Sequence, residues 1–242
     1  MYLMTKKDLN QNANYEKELF NFFEPEFTFS SRPLNRVNIL SKNKDQNLLD
    51  KTERLSKLKE KINSIENCNL KNDSKKLILG SGNTNSKIMI IGETPGEKEE
   101  QSGLAFQGEI GELLDKMFLA INIKREKIYL TYTINFRTPE NRKPTTSEIK
   151  RYSVFLKEHI SLVDPKIIIL MGSTAMEAVT GLNTKISNER GIWKEIILKN
   201  KTYPLIITYS PSYLIKYPEN KKYSWADLKK IKQKIQELNI EI

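Results

Sequence analysis

The sequence predicts a three-layer α/β/α domain built on a central four-stranded, mostly parallel sheet. Three observations lead there. Four short, almost wholly apolar runs, KIMIIG (87–92), IYLTYTI (128–134), KIIILMG (166–172) and YPLIITY (203–209), have the length and composition of strands buried on both faces. Segments of helical period separate or follow them. The runs also end at or near glycine, serine or polar loops, as strands feeding a ligand-binding rim do.

Along the chain, Leu55, Leu58, Ile62 and Ile65 fall at helical spacing and predict an amphipathic helix before the first strand. Ile110, Leu113, Leu114, Met117, Phe118 and Ile121 give a second apolar face. Thr145 and Glu148 match a capping box opening a helix through about residue 160. STAMEAV follows the third strand directly, and a last helix runs from near Ser224, with Asp227 in its first turn, to about Leu238. Residues 1–45 read as a variable extension ahead of a domain spanning 46–242. Tyr15 to Phe23 there suits one short aromatic helix, compatible with a free arm or with packing on the main domain.

The bulk numbers narrow the function classes. The chain has 242 residues, 38% of them hydrophobic, enough for one sizeable core. A net charge of +10 suits a nucleic-acid partner, although scattered lysine also makes an ordinary solvated surface. One cysteine, Cys68, excludes an internal disulfide and a cysteine-rich metal site within one chain. The opening residues lack the apolar run of about 7–15 that a signal peptide needs. No stretch approaches the roughly 18 apolar residues of a membrane span. A soluble, cytoplasmic monomer is the expectation.

The expected rim carries the chemistry. In GETPGEKEEQSGLAFQGEIGELLD (92–115), Gly92, Pro95 and Gly96 make a stiff turn that brings backbone close to a ligand. Glu93 lies just past the strand end, where a solvated loop residue is the commoner reading, and Phe106 is placed to wall a flat slot. A GxGxxG dinucleotide fingerprint is absent. The second loop reads RTPENRKPTTSEI (137–149), and the fourth reads SPSYLIKYP (210–218), with Trp225 and Asp227 beyond it.

Taken in order over residues 87–232, these strings resemble family four of the uracil-DNA glycosylases, the iron–sulfur type. Gly92, Glu93, Pro95, Gly96, Glu99, Gly103, Phe106, Gly108, Gly111, Leu113 and Leu114 match its first motif. Arg137, Pro139, Asn141 and Arg142 match its second. The resemblance implies DNA as partner, single-stranded or duplex and containing uracil. It implies excision of the base after the nucleotide flips out of the stack, with a non-catalytic relative that binds DNA or a damaged base as the alternative. Phe106 takes the base-stacking position, with Gly92 and Pro95 beside it, and Glu93 the catalytic carboxylate position. Pro211, Ser212, Leu214 and Lys216 take DNA-contacting positions, and Leu214 and Ile215 fall in the wedge region.

Several family residues are replaced. The leaving-group histidine position is Ser210, which is carried into the site in its place, and the base-reading asparagine position is Tyr132, whose phenol either offers one O–H to the base or fills the pocket. The only histidine, His159, sits on a helix and is expected to be a structural or surface residue. The four cluster cysteine positions read Ile65, Cys68, Phe136 and Tyr152. No metal or cofactor is expected, and a packed hydrophobic plug is expected instead.

Overall fold

In the computed structural model, residues 51–66 and 68–241 are described; the predicted extension over 1–45 lies outside them. In chain order they form α1 (Lys51–Asn63), α2 (Asn69–Asp73), β1 (Gly80–Gly82), β2 (Ile88–Gly92), α3 (Glu97–Ser102) and α4 (Gly108–Leu119). Then come β3 (Ile128–Tyr132), α5 (Thr146–Val163), β4 (Ile167–Met171), α6 (Ser173–Thr180) and α7 (Ile186–Glu189). The chain closes with β5 (Trp193–Leu198), β6 (Lys201–Thr208), α8 (Pro211–Lys216) and α9 (Lys221–Glu237). No described helix is long and apolar enough to cross a membrane.

The sheet has six strands in the order β1-β3-β2-β4-β6-β5, not four. The four predicted strands are its parallel centre, and antiparallel β1 and β5 are added at the two edges. All five residues of β2, β3 and β4 are buried, as continuous apolar runs require.

Alternate side chains serve opposite faces. Met89, Ile91, Ile168, Leu170, Leu205 and Ile207 pack with α1, α5 and α6. Ile88, Ile90, Ile167, Ile169 and Ile206 pack with Leu114 and Phe118 of α4 and Leu228, Ile231 and Ile235 of α9. Two helical layers therefore enclose one sheet, the predicted three-layer arrangement. The Thr145–Glu148 capping box also forms: Glu148 N–H donates to Thr145 Oγ1 (3.3 Å), and Thr145 N–H donates to Glu148 Oε2 (2.7 Å). Arg142 grips the same carboxylate at 2.7 and 2.9 Å and holds its pKa down at about 2.

His159 is a core residue of α5, 1% exposed, with Nε2 3.0 Å from the Tyr129 hydroxyl. Burial pushes its pKa down to about 3. An unfolded histidine titrates near 6.5, so between these values the unfolded chain binds a proton that the folded chain refuses. Its contribution to stability is intact above pH 6.5 and declines as pH falls through that window, by about 2 kcal/mol at pH 5. His159→Gln, which keeps a polar partner for Tyr129 but does not titrate, should flatten the fall in melting temperature from pH 6.5 to 5. An unchanged slope would assign the loss to carboxylates.

Candidate active site at the sheet rim

The loops after β2, β3, β4 and β6 meet at the carboxyl ends of the parallel strands, where ligands of such sheets bind. Two cavities open there, of about 480 and 360 Å³, and Glu93, Thr94, Asn141 and Ser210 belong to the walls of both. Glu93 is set by its neighbours. Its Oε1 accepts the N–H of Thr174 in the first turn of α6 (3.2 Å). The residue before α6, Gly172, has φ +100°, and a Cβ there would lie 2.5 Å from that oxygen. Only a residue without a side chain leaves the carboxylate its place.

Beside Glu93, Phe106 and Tyr132 stack with ring centroids 4.9 Å apart and planes 19° from parallel. Each is only 3% exposed. The Tyr132 hydroxyl accepts the Phe106 N–H (2.8 Å) and donates to Glu99 Oε1 (3.3 Å). Burial, with Glu99 next to it, pushes the phenol well above its usual pKa, so it is neutral and can donate. The Tyr132 ring thus lies stacked on Phe106 at the wall of the larger cavity, with its hydroxyl turned to Glu99. Gly92 lies against both rings, since a Cβ on it would come within 2.7 Å of Phe106 Cζ and 2.9 Å of Tyr132 Cδ1.

Glu99 is a site residue that the reading above left without a role. Although 2% exposed, its carboxylate is well satisfied, accepting from Gly96 N–H (3.0 Å) and Gln107 N–H (2.9 Å) besides Tyr132. The Gly-x-x-Glu spacing at the start of α3 is the capping signal that could have found it. Arg190 was also missed. It forms a forked pair with Asp227, Nε to Oδ2 at 3.0 Å and Nη2 to Oδ1, and lies over the rings of Tyr209 and Tyr223. No local motif announces it, because Arg190 and Asp227 are 37 residues apart.

The fourth loop departs from expectation. The Ser210 hydroxyl caps α8, accepting the Tyr213 N–H (3.4 Å), and lies 3.0 Å from Ser212 Oγ. Serine is a good N-cap, so this position has a structural use besides its place in the cavity wall. Pro211 is buried in the first turn, while Ser212 and Lys216 are exposed. Leu214 is corrected: at 1% exposure it faces the core, because residues three apart on a helix share a face and Pro211 is already inward. Half-buried Ile215 is the apolar side chain left at the surface of this turn.

The positions that the resemblance assigns to cluster cysteines lie in one packed region. Cys68 is buried with Sγ 3.2 Å from the Tyr152 hydroxyl, the Phe136 and Tyr152 rings meet edge to face at 6.3 Å, and Ile65 packs on the same core. An iron–sulfur cluster of the usual kind takes four thiolates, and one thiol among a phenol, a phenyl ring and an isoleucine does not fit it.

A carboxylate and two stacked rings thus line a cleft outside the ends of the parallel strands. The Uracil DNA glycosylase superfamily profile matches residues 79–232. The type-4 uracil-DNA glycosylase of Sulfurisphaera tokodaii is 32% identical over 187 residues, 74% of this chain and 84% of that protein. The one from Archaeoglobus fulgidus is 30% identical over 183 residues, 74% and 92% of the two chains. That of Thermotoga maritima is 32% identical over 162 residues, 66% and 83%. The chain belongs to the uracil DNA glycosylase superfamily, and these type-4 proteins are among its relatives.

Proposed function

We propose that this protein is a DNA repair glycosylase that excises uracil from DNA by hydrolysing the N-glycosidic bond of a flipped-out nucleotide. The observation that carries the reading is Glu93, held by α6 and Gly172 where the two cavities meet. As the bond from C1′ to the base breaks, the electron pair leaves with uracil and positive charge develops on the sugar. The Glu93 carboxylate stabilises that charge and takes a proton from the water that attacks C1′. The departing uracil anion takes a proton from solvent, and Glu93 releases to solvent the one it took from water, which restores the carboxylate. Each group invoked lies on one chain, so a monomer suffices.

Ser210 replaces a donor that can carry positive charge by a hydroxyl already used as a helix cap, and loss of such a donor typically slows chemistry by about 10²–10³-fold. Ser212 and Lys216, both exposed, supply donors to phosphates, which position a protein without reading sequence, and buried Pro211 sets the turn that presents them. Ile215 is the candidate wedge. The test is whether a uracil-containing strand becomes alkali-labile at the uracil, with the matching thymine strand as control. Lability at neither would remove the reading.

A second reading, a non-catalytic DNA-binding relative, is favoured by the Tyr132 ring lying stacked on Phe106. In either case the plug of Ile65, Cys68, Phe136 and Tyr152 stands in for the cluster. Purified protein is then expected to contain no stoichiometric iron, and Cys68→Ala to remain folded; one cluster per chain would refute the plug.

A further inference from the structure

We propose that Tyr132 is an internal surrogate for the base, so that the resting site is complementary to a baseless deoxyribose in DNA and admits uracil only when the phenol is displaced. The inference rests on the preceding reading for DNA as the ligand and goes beyond it in naming the nucleotide that the resting site prefers.

Three features of the slot support it. The Tyr132 ring lies on Phe106 in an offset stack, as a planar pyrimidine would. Its hydroxyl takes up the polar edge of the slot, accepting from Phe106 N–H and donating to Glu99. Glu99 also accepts from the Gly96 and Gln107 N–H groups, so the carboxylate that Tyr132 meets is already engaged by three donors. Phe106 and Tyr132 are each 3% exposed and Gly92 lies against both rings, so Tyr132 covers the Phe106 face it stacks on, at the wall of the larger cavity.

The sugar side is different. Glu93 and Ser210 border both open cavities, and each cavity exceeds the volume a single deoxyribose needs. An abasic sugar can lie beside residue 93 and place its ring against the Tyr132 edge without disturbing the stack. A uracil nucleotide must break two hydrogen bonds and a ring contact before its base is seated. A difference of about 1.4 kcal/mol between these cases already gives a tenfold preference.

The test measures affinity of the full-length protein for three labelled duplexes differing at one position: thymine, uracil or the stable tetrahydrofuran abasic analogue. It is run in the Glu93→Gln background, so that uracil is not converted into an abasic site during the measurement. The tetrahydrofuran duplex should bind at least about tenfold more tightly than the uracil duplex. Adding Tyr132→Asn or Tyr132→Ala, each checked for folding by its melting curve, should bring the ratio to about one or reverse it. Tyr132→Phe, which keeps the ring, should retain the preference.

Equal affinity for uracil and abasic duplexes in Glu93→Gln overturns the proposal, and this comparison needs no Tyr132 variant to fold. A preference that survives Tyr132→Asn overturns it as well, as does binding of neither lesion better than thymine. If abasic preference and its loss in Tyr132→Asn are both seen while the unaltered protein releases no uracil, the surrogate stands and the glycosylase activity falls.

Discussion

Glu93→Gln is expected to slow single-turnover uracil release by about 10²–10³-fold while leaving the fold intact. Glutamine keeps the size of the side chain and an oxygen to accept the Thr174 N–H, so α6 and Gly172 hold it where they hold the glutamate. What it removes is the negative charge that stabilises a cationic sugar and the base that takes a proton from water. The melting temperature should therefore barely move, and affinity for uracil-containing DNA should change far less than the rate. A matched loss of stability would mean that Glu93 is a structural residue; an unchanged rate would remove it from the chemistry.

Arg190→Leu should destabilise the protein by about 3–5 kcal/mol, the range found when one partner of a buried ion pair is removed. The Asp227 side chain is 1% exposed and that of Arg190 16%. Asp227 accepts the Arg190 fork and the Thr208 hydroxyl (2.8 Å), tying α9 to the end of β6; because α9 starts at Lys221 and not near Ser224 as predicted, Asp227 lies in its second turn. Burial already pushes its carboxyl pKa up, and without the guanidinium the charge keeps, among the described residues, the Thr208 hydroxyl as its side-chain hydrogen-bond partner. Arg190→Lys should recover little, since an ammonium lacks the fork and the flat face that lies over Tyr209 and Tyr223. A double replacement, Arg190→Leu with Asp227→Leu, should recover much of the loss because no charge is then stranded. Urea titration of the four proteins measures this; a loss below about 1 kcal/mol for Arg190→Leu would show that the pair is solvated.

The central strands were legible because each is a continuous apolar run, and β2, β3 and β4 begin and end within two residues of their predicted limits. The edges were not. β1 is Gly-Ser-Gly, with no side-chain pattern to read, and it pairs through its backbone with β3. β5 joins β6 through a tight hairpin at Lys199 and Asn200, with φ of 47° and 63°. Positive φ at both central residues is the geometry of a type I′ turn, for which Asn-Gly is the recognisable signal and Lys-Asn is not.

At the site, the loops were legible as ordered motifs, and Glu93, Phe106, Tyr132 and Ser210 all border the larger cavity. Their interactions were less so. Whether Tyr132 reads a base or fills the slot depends on the space between β2 and the Phe106 loop. Sequence spacing carries no such information. The inward turn of Leu214 and the Arg190–Asp227 pair likewise arise from packing between distant segments.

The central claim is that this rim still breaks the bond between uracil and deoxyribose. Single-turnover release of free uracil, with protein in excess over single-stranded and U:G duplex oligonucleotides, tests it most directly. The account predicts slow but complete release, at least as fast from single strands, where no stacked pair has to be opened. DNA that stays bound for hours with its uracil intact would contradict it.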